Sequence, residues 1–127
     1  MQQISAQAGR PVVMAARGLV AAPHYLAAEA GIWGLQQGGN AVDAAIAANA
    51  VLGVVYPHLA GLGGGAFLMV WRPGNEQPIC LNGSGAASYQ ATIAYYRDRG
   101  HDAVPMRGPL AANTVPGVVA AWGDVQQ

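Results

Sequence analysis

The side chains in this sequence that could do chemistry are few and scattered. Three histidines, His24, His58 and His101, share no metal-ligand spacing with one another or with the single cysteine, Cys80. Each therefore reads as a helix-start, loop or surface histidine, and no metal or other cofactor is expected. One cysteine excludes an internal disulfide and a cysteine-rich metal site. Cys80 falls in an expected strand and reads as a small core residue. Asp43 is a carboxylate isolated on an apolar stretch. At a helix start, hydrogen bonding to nearby backbone suits it better than catalysis.

Asn82-Gly83-Ser84-Gly85 sets a serine between glycines. A nucleophile elbow needs G-x-S-x-G, but positions 82 and 86 are Asn and Ala. The same residues form an Asn-x-Ser glycosylation acceptor, relevant only in a secreted eukaryotic protein. They also form a tight Asn-Gly turn. Residues 58–65, His-Leu-Ala-Gly-Leu-Gly-Gly-Gly, pose a second choice. Gly61, Gly63 and Ala66 fit G-x-G-x-x-A, the pattern of a dinucleotide cradle. That cradle must follow a strand and open a helix, with an acidic residue about 20 positions on. Here a helical stretch precedes the glycines, a strand follows, and position 86 is Ala. Close backbone passage explains the run better than phosphate binding.

The elements that must position these residues follow from pattern and punctuation. Arg10–Arg17 suits a strand. Pro23 opens a helix with Leu26, Ala30 and Trp33 on one face, closed by Gly38-Gly39. Asn40 caps a second helix over roughly 41–55, with Asp43 in its first turn and Pro57 as its stop. It is small and apolar nearly all round, the mark of a helix enclosed on most sides. Ala66–Trp71 reads as a buried strand, Arg72–Asn75 as a turn and Pro78–Leu81 as the return strand. Asn82–Gly85 is then a second tight loop. Ser88 is a candidate cap for a helix to Arg99, where Tyr95, Tyr96, Arg97 and Arg99 form a half-exposed face. Gly100 closes it, and residues 101–109 are loop-like. Thr114-Val-Pro-Gly117 starts a last helix, with Pro116 near its first turn, still open at Gln127.

Composition sets the outer bounds. The 127 residues are 53% hydrophobic and only 9% charged, against about 25% charged in a typical domain. A self-contained domain needs more charge to cover its surface, so much of the chain is expected to be buried against a second chain or the rest of a longer polypeptide. Formal net charge is zero and no Lys/Arg cluster exists, which removes the footing for nucleic-acid or anionic-membrane binding. The apolar run Ala41–Tyr56 is shorter than the roughly 20 residues of a membrane span and contains Asp43 and Asn49. Residues 1–14 lack a basic segment followed by an apolar one. Localisation stays open, with the cytoplasm favoured over a periplasmic or secreted home.

The order of the segments carries more than any one of them. The stretch from Gly18 to Trp71 contains Ala22-Pro-His24, then Gly38-Gly-Asn-Ala-Val-Asp-Ala-Ala45, then Val54-Val-Tyr-Pro-His58 and Gly61-Leu-Gly-Gly-Gly65, with Thr114-Val-Pro-Gly117 further on. This series resembles the start of the γ-glutamyltranspeptidase family over roughly Pro11–Trp122. The resemblance implies an α/β (α+β) chain forming part of a four-layer αββα N-terminal-nucleophile hydrolase sandwich. It implies one stretch, 1–127, without internal boundary, from the N-terminal portion of a large subunit. Its partners would be the remaining large- and small-subunit segments and a small-molecule γ-glutamyl or similar acyl-amide substrate. In that family the precursor cuts itself, and a threonine at the new N-terminus of the small subunit is the nucleophile, with its own α-amine as base. No catalytic residue is then expected in this chain. Thr114 follows Asn113, but the family nucleophile is followed by Thr and usually His, whereas Val-Pro-Gly follows here.

One departure bears on substrate. The family's strand after the hairpin carries an Arg that binds the glutamyl α-carboxylate. Aligned from Leu81, that position holds Ser84, within the expected substrate-binding stretch Asn82, Gly83, Ser84. A hydroxyl cannot give a carboxylate the two-pronged clamp of a guanidinium. Arg107 is a candidate replacement. A cephalosporin-acylase-like hydrolase fits this pattern, and a non-catalytic scaffold piece is the alternative from another class.

Overall fold

The computed structural model describes residues 11–112 and 114–127. It holds helices α1 (Tyr25–Gln36) and α2 (Ala41–Val55), strands β1 (Ala66–Val70) and β2 (Ile79–Gly83), a short helix α3 (Ile93–Arg97) and helix α4 (Val118–Val125). Of the strand expected over Arg10–Arg17, Arg10 lies outside the described residues. Residues 11–17 carry no strand, and Val12 is 88% exposed. A strand needs a ladder partner for its backbone groups, and none is present among the described residues.

The first two helices form a hairpin written in its end signals. His24 is extended, and its Nδ1 accepts the Leu26 N–H at 3.3 Å. At the other end Gly38 has φ +90°. Gly39 N–H donates to the Gly34 carbonyl and Gly38 N–H to the Leu35 carbonyl, the paired closure of a left-handed helix cap. Asn40 then starts α2 at once. Its Oδ1 accepts from Val42 and Asp43 N–H, while Asp43 Oδ2 accepts the Asn40 N–H at 2.9 Å. This reciprocal box satisfies amides that a helix start leaves orphaned.

The seam between α1 and α2 runs along small residues. Ala27 and Gly31 are the buried positions of α1, and Ala44 and Ala48 those of α2. The face expected from Leu26, Ala30 and Trp33 is therefore corrected: Leu26 and Trp33 are exposed. Periodicity locates a stripe of bulk, but a close crossing selects for the absence of bulk. A Cβ at Gly31 would sit 2.8 Å from Val20 Cγ1 and 3.0 Å from the Ala44 carbonyl oxygen. The enclosure expected for α2 is likewise partial: Ala44 and Ala48 are its buried positions, and Val54 on another side is exposed.

β1 and β2 pair antiparallel, from Ala66 opposite Gly83 to Val70 opposite Ile79. Burial alternates along β1: Ala66, Leu68 and Val70 are half-buried, Phe67 and Met69 exposed. The strand is thus covered on one face only, and the fully buried strand expected here is corrected. Cys80, opposite Met69, is exposed rather than a core residue. α3 is capped by Thr92, whose hydroxyl accepts the Tyr95 N–H, and not by Ser88, which closes a separate turn onto Gln90 and Ala91. Gly100 ends the helical stretch at φ +78°. Tyr96 is buried, and Arg99 stacks over the Tyr95 ring at 3.7 Å. α4 starts after Gly117 and ends at Val125, so Pro116 precedes its cap and the helix is shorter than expected.

The buried apolar residues are mostly alanine: Ala27, Ala44, Ala48 and Ala121, with Tyr96, Val118 and Val125. The chain exposes 10279 Å². A self-contained monomer of its 12.9 kDa mass exposes about 6300 Å². That excess accords with a composition poor in charge and with exposed apolar residues such as Val54, Phe67 and Met69. No helix among the described residues is long and apolar enough to cross a membrane.

Candidate functional site

The three glycine-bearing segments converge. Gly64 and Gly65 lead into β1, Gly83–Gly85 leave β2, and Gly117 caps α4. The Gly64 carbonyl accepts from Gly117 N–H at 3.0 Å and Val118 N–H at 3.2 Å. α4 has no side-chain cap, so this carbonyl takes the place of one for the first amides of the helix. On the other side, Val115 N–H donates to the Ala86 carbonyl at 2.9 Å, and Ala87 bridges antiparallel to Thr114.

The contacts leave no room for side chains. A Cβ at Gly65 would lie 2.7 Å from Ser84 Cα, and one at Gly83 would lie 3.1 Å from the Ala66 carbonyl oxygen. Gly85 has φ +80° and faces the Val115 carbonyl, where a Cβ would overlap it. Within the glycine run, backbone passes backbone at Gly65. A Cβ at Gly61 or Gly63 would meet nothing within 4 Å and one at Gly64 only the Gly61 carbonyl oxygen at 3.6 Å, so the close passage expected for the whole run is corrected to its last residue. Asp43 is a capping residue; its Oδ1 also accepts from Gln126 Nε2 at 3.3 Å.

The expected substrate-binding residues stand together at this crossing. Asn82 and Gly83 are the last residues of β2, opposite Phe67 and Ala66, so the tight loop expected at Asn82–Gly85 is corrected: it starts after Gly83. A half-buried Gly83 accommodates the crossing chain within the ladder, where an Asn-Gly pair more often marks a turn. Asn82 Oδ1 accepts the Ser84 N–H at 3.0 Å. Ser84 is half-buried and Asn82 exposed.

The structure does not bring the histidines together. His24 caps α1 and stacks on Tyr25, and His58 lies against Tyr56 at 4.1 Å between ring centroids. Among the described residues no group of three His, Cys, Asp or Glu could hold a metal ion. Thr114 is exposed at its bridge to Ala87; Asn113 lies outside the described residues. No serine, threonine or cysteine here has a hydrogen-bonded general base among the described residues.

A groove that sequence reasoning missed lies between α2, β1 and α4. Its volume is about 700 Å³, and its walls include Ile46, Asn49, Leu68, Val118 and Trp122. Trp122 Nε1 donates to Asn49 Oδ1 at 3.2 Å, joining α4 to α2 across its floor. Its walls contain no titratable side chain, so it can pack or bind apolar matter but cannot move protons.

Comparison with known proteins gives this arrangement a context. The family model described as gamma-glutamyltranspeptidase matches residues 27–127. The chain is 43% identical over 113 residues to the glutathione hydrolase-like YwrD proenzyme of Bacillus subtilis, covering 89% of this chain and 21% of that protein. It is 44% identical over 105 residues to the oxamate amidohydrolase proenzyme of Klebsiella pneumoniae, covering 83% and 19%. The chain thus spans about a fifth of the length of these curated relatives. The crystal structure of Helicobacter pylori gamma-glutamyltranspeptidase superposes with a TM-score of 0.79 at 33% identity, over 91% of this chain and 33% of that one. The expected fold class is accordingly the observed one: α+β, part of the N-terminal-nucleophile hydrolase sandwich.

Proposed function

The chain belongs to the gamma-glutamyltranspeptidase family, and on that premise we propose that residues 1–127 form, without internal boundary, the opening portion of the large subunit of an amidohydrolase or acyltransferase. The acyl-enzyme forms on a threonine outside these residues, freed when the precursor cleaves itself, with its own α-amine as base. The acyl group then passes to water or to an amine acceptor. The exposed apolar faces of α2 and the β1–β2 hairpin are covered by the remaining large- and small-subunit segments. These 127 residues supply a wall of the site, at Asn82, Gly83 and Ser84, and no catalytic group. The family match across residues 27–127 is the observation that carries this reading. The relatives' names as proenzymes support the processing step.

The acyl group is set in part by Ser84. With serine where the family's arginine binds the glutamyl carboxylate, glutathione activity is weak or absent. A second reading, a hydrolase of other acyl amides such as a cephalosporin-acylase-like enzyme, rests on that residue. A relative named for oxamate, an amide with no glutamyl group, supports it. The test starts with an intact mass spectrum of the purified full-length protein under denaturing conditions. Two polypeptides are expected, one beginning with threonine. A 12.9 kDa species alone would overturn the enzyme reading. Turnover of γ-glutamyl, glutaryl and oxamate-type amides then ranks the acyl groups.

A further inference from the structure

We propose that Val115–Gly117 is a positioning element for Asn82–Ser84, fixing where the Ser84 hydroxyl stands on the substrate-facing wall. The inference rests on the reading of Asn82–Ser84 as that wall. The geometry is independent of it. Ser84 is held on its N-terminal side by the β2 register, with Gly83 opposite Ala66. Gly65 passes so close that a Cβ there would stand 2.7 Å from Ser84 Cα. On its C-terminal side, Gly85 at φ +80° lies against the Val115 carbonyl, and the Ala86 carbonyl accepts the Val115 N–H at 2.9 Å. The Ser84 amide is itself tied to Asn82 Oδ1. The backbone of residue 84 is thus clamped from both sides, and only side-chain rotation is left to it.

The clamp arrives from a distant part of the chain and carries no reactive group. Val115, Pro116 and Gly117 can act only through shape. Pro116 fixes its own φ near −65° in the segment before α4. Gly117 N–H anchors that segment to the Gly64 carbonyl. Because Gly64 also precedes β1, one segment ties together the start of β1 and the end of β2, which bears Asn82–Ser84. Discrimination between acyl groups needs such fixity, since a binding wall works only when its groups are held within about 0.5 Å of the productive geometry.

The experiment uses the full-length protein. Ser84→Cys serves as a reporter, its reaction with a thiol reagent followed by peptide mass mapping. It is combined with Gly117→Ala and separately with Pro116→Ala, which adds no heavy atom and so preserves the fold if Gly117→Ala does not. Modification at position 84 should change by at least about tenfold in rate. In the Ser84 background, KM for the preferred acyl amide should rise while kcat stays within about twofold. Gly123→Ala, whose added Cβ meets nothing within 4 Å, should leave both unchanged. Unaltered reactivity at position 84 in folded Pro116→Ala protein would overturn the clamp. Altered reactivity with an unmoved KM would overturn the substrate-wall reading and, with it, the positioning role toward substrate.

Discussion

Replacing Gly31 by alanine tests whether the α1–α2 seam depends on missing side chains. An alanine in a helix interior is favoured over glycine by about 1 kcal/mol. At Gly31 the new methyl meets Val20 Cγ1 at 2.8 Å, Val20 Cγ2 at 3.2 Å and the Ala44 carbonyl oxygen at 3.0 Å. Valine is stiff at χ1 and the carbonyl belongs to α2, so neither yields cheaply. Forcing extra volume into such a contact costs about 1–3 kcal/mol. Gly34, one turn on, is the control, because a Cβ there finds its nearest neighbour, Ala44 Cα, at 3.7 Å. Both variants receive the same propensity gain, which cancels in their difference. Gly31→Ala should therefore be less stable than Gly34→Ala by about 1–3 kcal/mol. Native-state hydrogen exchange of α1 and α2 amides in the intact protein reads this as an opening equilibrium about 5- to 150-fold larger. Equal protection in the two variants, or greater protection in Gly31→Ala, would refute the argument that the seam is closed by backbone approach.

Three further outcomes follow from other parts of the fold. Asn40→Ala removes the acceptor for two amides at the start of α2 and should cost about 1 kcal/mol, measured by the same exchange experiment on α2. Gly85→Ala should destabilise the protein more than Gly38→Ala. Both pay the left-handed backbone penalty of about 1–2 kcal/mol, but only Gly85 also overlaps a carbonyl; thermal unfolding of the two variants ranks them. Ser84→Arg should raise kcat/KM for γ-glutamyl amides relative to amides without an α-carboxylate, because a guanidinium can clamp the carboxylate in two places. An unchanged ratio in a folded variant would count against the place assigned to Ser84.

What the sequence made legible was the local chemistry of element ends. Asn40, Asp43 and Pro57 bracket α2 at its observed limits, and Gly38-Gly39 closes α1 as expected. The Arg72–Asn75 turn and the presence of a strand on either side of it follow from punctuation, but β2 runs on to Gly83, past the Leu81 expected as its end. Faces were harder to read. In α1 the large apolar residues Leu26 and Trp33 point away from α2, because the helices meet through Ala27 and Gly31. Cys80 and Met69 look like core in composition but lie on a hairpin face left exposed among the described residues. Asn82-Gly83 looks like a turn because Asn-Gly pairs form turns, yet here the glycine keeps the ladder open for a crossing chain. Ser88 and Thr92 are both good caps, and in the structure Thr92 takes the helix while Ser88 closes the turn before it. The convergence of Gly64, Gly85 and Gly117 is a long-range fact with no signature in local spacing.

The hairpin face has a consequence for how the polypeptide must be made. β1 runs Ala66-Phe-Leu-Met-Val70 without a charge or a proline, and in the described residues it pairs with β2 alone. Its other edge is an open template for strand addition. The helical hairpin forms from neighbours in sequence and can be made early, but on the proposed reading the strand waits for segments outside these residues before its edge is sealed. During that interval Phe67 and Met69 stand exposed beside unpaired backbone, the combination most prone to intermolecular sheet growth. Expression of residues 1–127 by themselves would thus give aggregates rather than a lone folded unit. Recovery should depend on low temperature, on chaperones, or on co-expression of the segments proposed to cover this face.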